Sequence, residues 1–374
     1  MRNQNWKVVN QAIVMAAAAL LVVNFTGFAA AQSEDVHADF MSAPKESTNV
    51  AGVKIFTGAP AGFNPLTATN HELAGYGLPQ RPDQTAEPEA YALWERAMQA
   101  AKHRAPAKLD VKPYSSTAMK AGGLQGTNTS TTSYNWSGMA ATNKDKSWNK
   151  KTSFDAVYSV FNVPVAQPPF GACGAGITGP FYEVSWNGID GFSNGDVVQG
   201  GSLSAADCSG DTLYEAWVEW YPSYSIIGVF YVNPGDDIYV VTYGYPGTST
   251  QYVFVEDFTM QEYGTYELPW LSGPGLVGSS AEWIVERPCC TGNGDPLALA
   301  NTIYDFFNYD FAYDVAGKEF NAGGTATTNY NISMLTDNGS TIIESVGAGT
   351  AGEQGLESLW FYDENCAYSG GCTP

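Results

Sequence analysis

Residues 214–222 read Tyr-Glu-Ala-Trp-Val-Glu-Trp-Tyr-Pro, a run of aromatic and branched side chains that closes on a proline. This composition favours a β-strand, in which successive side chains point to opposite faces. One face carries Tyr214, Ala216, Val218 and Trp220. The other carries Glu215, Trp217, Glu219 and Tyr221. We predict that the first face is buried in a core and that the second, a strip of carboxylates and aromatic rings, grips a polar polymer.

The chain around this strand, from about residue 122 onward, consists of short apolar and aromatic runs separated by turns. Asn233-Pro234-Gly235-Asp236 and Asp337-Asn338-Gly339 are examples of these turns. Regularly spaced short strands with few helices are typical of a two-sheet sandwich. We therefore predict an all-β domain at residues 126–374, a sandwich of two antiparallel sheets.

The composition agrees with an exported all-β protein. The 374 residues are 44% hydrophobic and only 15% charged, and the formal net charge is −21 at pH 7. A substantial core is possible beneath a surface rich in Ser, Thr, Asn, Gly and Tyr. Because proteins contact nucleic-acid phosphates with Lys and Arg, the acidic balance argues against a nucleic-acid partner.

The N-terminus has the form of a secretory signal peptide at residues 1–31. Arg2 and Lys7 precede an apolar run at Ala12–Val23, and three alanines at 29–31 offer a cleavage site. This arrangement is typical of a signal peptide. A single membrane anchor is the alternative, but the run is short for a span, which needs about 18 or more apolar residues. We predict a secreted, extracellular protein with no membrane association.

Residues 32–125 differ in composition from the acidic remainder of the chain and are interpreted as a propeptide. They hold all three histidines and end in a basic stretch, whereas the residues after 122 carry 6 Lys and Arg against 28 Asp and Glu. We predict that this segment sits on the acidic domain as an intramolecular inhibitor and is later removed. An N-terminal domain that stays attached is the alternative.

The predicted propeptide has two parts. Residues up to about Gln84 are rich in Ala, Pro, Gly and Thr and predict a loop or loosely ordered segment. Residues 88–104 predict a helix, because apolar side chains recur at helical spacing. These side chains are Trp94, Ala97, Met98 and Ala101.

All six cysteines lie within the predicted mature domain: Cys173, Cys208, Cys289, Cys290, Cys366 and Cys372. In an exported protein, cysteines are more often paired in disulfides than bound to metal. We therefore predict disulfides. Cys366 and Cys372 could close a small loop near the C-terminus, and the other pairings stay open.

The absence of histidine after residue 103 excludes several kinds of catalytic site from the predicted mature domain. A Ser-His-Asp triad, a Cys-His pair and a histidine-bound zinc site all need that residue. The GxxxxGK[ST] phosphate loop and the Asp-Thr-Gly or Asp-Ser-Gly pair of aspartic peptidases are also absent from the sequence. We predict no cofactor and no metal. Carboxylates remain as bases, and they act in acid, where histidine is protonated.

Three further motifs accompany the strip. They are WNGIDG at 186–191, VVQGG at 197–201 and AEWIVE at 281–286. In a strand, Trp186 and Asp190 share one face of the first motif, and Glu282 and Glu286 share one face of the third. A single carboxylate of this kind is more often structural than catalytic, and Gln199 alone would attract no notice.

Taken together, these motifs resemble one family, the glutamic peptidases known as eqolisins. The matching stretches occur in the family's order at 134–138, 186–191, 197–201, 214–222 and 281–286. The resemblance implies a sandwich of two curved antiparallel sheets, of the concanavalin-like or jelly-roll type, with the substrate cleft on the concave face. It also implies secretion as a zymogen, activity in acid and insensitivity to pepstatin.

The resemblance implies a catalytic dyad of Gln199 and Glu286, with Glu282 not matched to the catalyst. The predicted substrate-binding residues are Trp136, Trp186, Asp190, Trp217, Glu219 and Tyr221. Two positions depart from the family pattern. Ser202-Leu203 replace an aromatic-Asp pair, and Arg287 follows Glu286 where an acidic residue is common.

The prediction is a monomeric, secreted acid endopeptidase that acts on proteins and peptides. A glycoside hydrolase on a similar sandwich is an alternative, because Glu219 and Glu286 could serve as its two carboxyl groups. A lectin-like protein that only binds a ligand through the aromatic strip is another. The glycoside hydrolase does not account for the motif around Gln199 or for the propeptide.

Overall fold

A computed structural model describes residues 37–122, 130–143, 152–289, 296–302, 304–348 and 359–363. The signal peptide predicted at 1–31 and the domain boundary predicted near residue 125 lie outside these ranges, as do Cys290, Cys366 and Cys372. The described helices are α1 (37–42), α2 (Asn70–Gly75) and α3 (Pro88–Ala100). The described strands are β1 (Lys45–Ser47), β2 (Lys54–Phe56), β3 (His103–Arg104), β4 (Asp110–Val111), β5 (Ser130–Ser133), β6 (Trp136–Asn143), β7 (Phe154–Asn162), β8 (Phe181–Ile189), β9 (Val197–Ala206), β10 (Thr212–Tyr221), β11 (Ile227–Tyr231), β12 (Asp237–Tyr243), β13 (Thr250–Asp257), β14 (Glu262–Pro269), β15 (Ser280–Glu286), β16 (Tyr304–Asp314), β17 (Glu319–Asn321), β18 (Thr327–Leu335), β19 (Ile342–Ala348) and β20 (Leu359–Asp363).

Two antiparallel sheets form the body of the protein. Sheet I has the strand order β18–β6–β15–β8–β9–β10–β11. Sheet II has the order β14–β13–β12–β7–β16. The predicted all-β sandwich is therefore confirmed.

The core between the sheets is built from alternate residues of each strand. Strand β10 contributes Ala216, Val218 and Trp220, which cluster with Val240, Val253 and Val255 of sheet II. Trp217 and Tyr221, on the other face of β10, belong to a separate apolar cluster. The side-chain alternation predicted from residues 214–222 is thus confirmed, because burial of one face fixes which residues point inward.

The N-terminal segment, residues 37–122, covers the outer face of sheet II with its helices. Helix α3 buries Leu93, Trp94, Ala97 and Met98. These side chains cluster with Tyr158, Tyr239, Tyr243, Tyr252 and Phe254 of sheet II. Burial of so many aromatic rings makes this a large apolar contact. Each Å² of apolar surface that it removes from water stabilises the contact by roughly 25 cal/mol.

The predicted helix at 88–104 ends earlier than expected, at Ala100. The amides of Lys102 and His103 bond to the carbonyl oxygen of Gln261, and β3 then pairs with β14. The residues before Gln84, predicted as a loose loop, contain α1, α2, β1 and β2. They are ordered by contact with sheet II, which local composition does not reveal; Ile55 of β2, for example, pairs with Tyr266 of β14.

After β3, the N-terminal segment passes round the sandwich to sheet I, where β4 pairs with β11. Four basic residues of the segment form ion pairs with the sandwich. They are Lys45 and Lys54 with Glu267 (2.9 and 2.7 Å), Arg96 with Asp237 (2.8 Å) and Lys112 with Glu215 (2.5 Å). The segment therefore contacts both outer faces of the sandwich.

Two of the predicted disulfide cysteines are paired with each other, Cys173 with Cys208, at a Cα–Cα distance of 5.6 Å. Cys289 is also in a disulfide. Among the helices described, none has the length and apolar character needed to cross a bilayer.

Candidate active site

Gln199, Glu219 and Glu286 lie on the outer face of sheet I, the face turned away from sheet II. Gln199 of β9 pairs with Glu219 of β10 on one side and with Gly188 of β8 on the other. Glu286 of β15 pairs with Val184, further along β8. A Cβ atom at Gly188 would lie 2.8 Å from the Val198 carbonyl oxygen and 3.1 Å from the Gln199 Cβ atom. Glycine at this position therefore leaves room for Gln199.

Residues 112–120 of the N-terminal segment, which we call the covering segment, run across this face. The amide of Lys112 bonds to the Ile226 carbonyl oxygen (2.9 Å), and Ser115 exchanges two backbone hydrogen bonds with Cys289 (2.5 and 2.6 Å). The amide of Met119 bonds to the Gly191 carbonyl oxygen (3.0 Å). The covering segment is thus held by its backbone on both sides of its centre.

Ser116 and Thr117, at that centre, contact Gln199, Glu219 and Glu286. The Ser116 amide donates to Glu219 Oε2 (2.9 Å), and its carbonyl oxygen accepts from Gln199 Nε2 (3.3 Å). The Ser116 hydroxyl bonds to Glu286 Oε2 and lies 3.2 Å from Gln199 Oε1. The Thr117 amide donates to Glu286 Oε1 (2.9 Å). Gln199 and Glu286 therefore meet on one peptide unit.

The Glu286 carboxyl is buried and held by fixed donors. Asn135 Nδ2 donates to its Oε1 atom (3.1 Å) and Trp186 Nε1 to its Oε2 atom (3.0 Å). Burial raises the pKa of Glu286 to about 8, although the hydrogen bonds from Ser116, Thr117, Asn135 and Trp186 favour the charged form. Burial also raises the pKa of Glu219 well above its ordinary value, and the nearby charge of Glu286 adds to this. With the covering segment in place, both carboxyl groups hold their protons tightly.

This pKa makes attachment of the covering segment depend on pH. In an open site, water reaches Glu286 and its pKa returns toward 4.5. Covering the site then takes up a proton, so the stabilisation is complete below pH 4.5 and is lost as the pH rises to about 8. We expect the hydrogen-exchange protection of the Thr117 and Met119 amides, corrected for intrinsic exchange, to fall across this window. The fall should reach at most about tenfold per pH unit.

The matched control is Glu286→Gln, which keeps the size of the side chain but does not titrate. Protection of the same two amides should depend less on pH in this variant, because only Glu219 of the two buried carboxyls remains to titrate. An identical pH dependence in both proteins would show that Glu286 is not the responsible group.

The predicted aromatic residues lie around Gln199 and Glu286. Trp136, Trp186, Trp217 and Tyr221 belong to one apolar cluster on this face. The rings of Trp136 and Trp186 lie 5.0 Å apart, and Trp136 Nε1 donates to the Thr117 carbonyl oxygen (2.9 Å). Tyr114 and Met119 of the covering segment pack into the same cluster. Five of the six predicted substrate-binding residues, Glu219 included, therefore lie on one surface, which the covering segment occupies.

Asp190, the sixth, holds a loop. Its carboxylate accepts hydrogen bonds from the amides of Val277 (2.7 Å), Gly278 (2.9 Å) and Ser279 (2.6 Å) and from the Ser279 hydroxyl (2.5 Å). Its backbone φ is +71°, a left-handed conformation that Asp and Asn adopt more readily than other non-glycine residues. Burial raises the pKa of Asp190, and these hydrogen bonds oppose that rise.

We expect Asp190→Ala to lower the free energy of unfolding by about 2–4 kcal/mol, because three amides lose their acceptor and alanine is strained at this φ. The change should appear as a lower midpoint in denaturant unfolding. Asp190→Asn keeps one acceptor oxygen and tolerates the conformation, so its loss should be smaller. A raised KM with an unchanged midpoint would instead support Asp190 as a direct substrate contact.

Three residues of this site were not among the predicted site residues. Asn135 adjoins Trp136 within a matching stretch, so that stretch could have pointed to it. Ser116 and Thr117 lie in an ordinary Tyr-Ser-Ser-Thr sequence with no signal of its own. Within the described ranges, no three His, Cys, Asp or Glu side chains are grouped so that they could hold a metal ion.

The sequence profile of the Peptidase A4 family matches residues 134–352, more than half of the chain. The chain belongs to the Peptidase A4 family. The matched range contains Gln199, Glu219 and Glu286 but not the N-terminal segment. The A4 family is that of the glutamic peptidases, so the resemblance predicted from the motifs is confirmed.

Relatives of this A4 protein match shorter stretches. Scytalidopepsin B of Scytalidium lignicola is 30% identical over 164 residues, which are 43% of this chain and 54% of the relative. Aspergillopepsin-2 of Aspergillus niger is 31% identical over 103 residues, 27% of this chain and 36% of the relative. The chain thus spans about half the length, or less, of these relatives.

A solved structure of scytalido-glutamic peptidase with a transition state analog inhibitor is also similar in part to this A4 protein. It aligns with a TM-score of 0.47 and 19% sequence identity over 62% of this chain and 98% of that chain. The aspergilloglutamic peptidase from Aspergillus niger aligns with a TM-score of 0.40 and 22% identity.

Proposed function

We propose that this Peptidase A4 protein is a secreted endopeptidase that hydrolyses peptide bonds of proteins in acid. One observation carries the proposal. An amide from β9 and a carboxyl from β15 contact the carbonyl oxygen and the nitrogen of a single peptide unit, Ser116–Thr117. These are the two atoms of a peptide bond that need stabilisation and a proton during hydrolysis.

Glu286 is the proposed general base. In its ionised form it takes a proton from a water molecule, which attacks the carbonyl carbon of the substrate. Glu286 then passes the proton to the nitrogen of the leaving amine. The bonds from Asn135 and Trp186 fix the orientation of the carboxyl group and favour its charged form.

Gln199 is the proposed donor to the oxyanion. Its side-chain amide stabilises the negative charge that develops on the carbonyl oxygen in the transition state. A neutral amide does not titrate, so it keeps its donor at any acidic pH. Glu219 Oε2 accepts a hydrogen bond from Gln199 Nε2 (3.2 Å) and can hold the amide in its orientation.

The N-terminal segment is the proposed inhibitory propeptide of a zymogen. Its ion pairs with Glu267 and Asp237 attach it to the sandwich. The raised pKa of Glu286 makes acid favour the covered site, because the covered carboxyl is protonated there. Activation in acid is therefore expected to require cleavage of the chain rather than simple opening.

We expect incubation of the full chain in acid to yield a shortened protein that begins near residues 122–133. Amino-terminal sequencing and intact mass of the product, followed with time, measure this. A full-length chain that is already active and stays intact would contradict the propeptide assignment.

The proposed function is tested by digestion of an acid-denatured protein in the presence of a pepstatin-type inhibitor, beside a polysaccharide digest. Peptide products that persist with the inhibitor support the glutamic endopeptidase. Polysaccharide cleavage, or binding with no cleavage of either polymer, would overturn it.

A further inference from the structure

The contacts of the Ser116–Thr117 peptide unit indicate that it does more than block the site. Its carbonyl oxygen lies on the amide proposed to stabilise the oxyanion, 3.3 Å from Gln199 Nε2. Its nitrogen lies on the carboxyl proposed to protonate the leaving amine, 2.9 Å from Glu286 Oε1. Both atoms are thus placed as the reacting atoms of a substrate.

The position between these two side chains is occupied by a hydroxyl group. Ser116 Oγ bonds to Glu286 Oε2 and lies 3.2 Å from Gln199 Oε1. The proposed mechanism needs a water molecule between the same two residues. Ser116 is completely buried, so a second oxygen has no open route to this position while the segment is in place.

The flanking residues bind the backbone of the covering segment through both backbone and side-chain groups. Ser115 pairs with Cys289 in an antiparallel bridge, and the Ser116 amide donates to Glu219. On the other side, Trp136 bonds to the Thr117 carbonyl oxygen and Gly191 to the Met119 amide. Hydrogen bonding to the backbone groups of an extended peptide is a general way of binding it.

We propose that residues 114–119 bind as a substrate does, with Ser116–Thr117 in the place of the cleaved bond, and that the Ser116 hydroxyl replaces the attacking water. The bond is therefore presented to the catalytic groups but not hydrolysed. This inference rests on the proposed function, since it takes Gln199 and Glu286 as the working pair.

Removal of the Ser116 hydroxyl oxygen should allow the Ser116–Thr117 bond to be hydrolysed. Ser116→Ala keeps the backbone contacts and removes the hydroxyl from between Glu286 and Gln199, the polar groups that can bind a water in its place. A water beside Glu286 also hydrates its carboxyl and so lowers the pKa that burial has raised. The water oxygen can then bond to the carbonyl carbon of residue 116, its proton passing through Glu286 to the Thr117 nitrogen as the carbon–nitrogen bond breaks.

The test compares full-length wild type, Ser116→Ala and Ser42→Ala in acid. Ser42 is an exposed serine of the same segment, so its variant is the matched control. Intact mass and amino-terminal sequencing measure a new chain that begins at Thr117. We expect this product to form at least about tenfold faster from Ser116→Ala than from the other two proteins, at a rate independent of protein concentration. The double variant Ser116→Ala, Glu286→Gln should not form it.

An added acid-denatured protein substrate separates two kinds of failure. If Ser116→Ala digests the added protein but its 116–117 bond stays as intact as in wild type, this inference is overturned and the proposed function stands. If none of the proteins digests the added substrate, the proposed function itself fails. Ser116→Gly, which removes the same hydroxyl, repeats the test should Ser116→Ala fold poorly.

Discussion

Replacing Glu286 by glutamine should reduce kcat/KM for acid proteolysis by about 10²- to 10⁴-fold, the usual contribution of a positioned general base. Glutamine has nearly the same shape, and its single carbonyl oxygen can still accept from the Thr117 amide and Asn135, while its NH2 group faces Trp186 Nε1. It cannot take a proton from water. The folded structure should therefore survive while the chemistry is lost.

The experiment must separate lost chemistry from failed activation, because an inactive variant cannot process its own N-terminal segment. Each protein should first be cut by a trace of tagged, processed wild type, which is then removed. Glu282→Gln is the matched control. Glu282 lies on the same face of β15, and burial raises its pKa well above the ordinary value, so a neutral amide is a close substitute. Near-normal activity of Glu286→Gln, or equal losses in both variants, would contradict the assignment.

Gln199→Ala should lower kcat by about 10²- to 10³-fold, which is the measured range for removal of one oxyanion donor. The loss should fall mainly on kcat, because the bond to Gln199 is strongest when the carbonyl oxygen carries charge. Measurement of kcat and KM on a peptide substrate, with the variant processed by wild type as above, provides the check.

Gln199→Glu is the informative companion to this variant. A protonated carboxyl keeps an O–H donor, so part of the activity should remain at low pH and disappear as the new group ionises. The ionised form would repel both the oxyanion and Glu219. An activity equal to that of Gln199→Ala at every pH would argue against a role as hydrogen-bond donor.

Part of this site could be predicted from the sequence, because the alternation of side chains along a strand is a local property. In β10 and β15, core residues alternate with Trp217, Glu219 and Glu286, and the sequence shows this directly. Strand β14, Glu262–Pro269, has a weaker local signal: its sequence contains Gly264 and ends at a proline, and neither favours a strand. It forms because β13 pairs along its whole length.

The contacts of the covering segment could not be predicted, because they depend on partners distant in the chain. Strand β4 has two residues and exists only through its pairing with β11. Ser116 meets Gln199 and Glu286 after the chain has passed round the whole sandwich. No short-range pattern distinguishes this serine from its neighbour Ser115.

The N-terminal segment is attached at two places, by its helices on sheet II and by residues 112–120 on sheet I. The helices therefore supply the covering segment at a high effective concentration, in the millimolar range for a short flexible link. A covering segment with weak affinity of its own can then keep the site closed. A cut near residues 122–133 leaves the covering segment joined to α3 and its aromatic contacts on sheet II, so this advantage outlasts the cut. The cut protein is then expected to remain a covered complex of two chains until the N-terminal segment leaves or is cut again within residues 112–120.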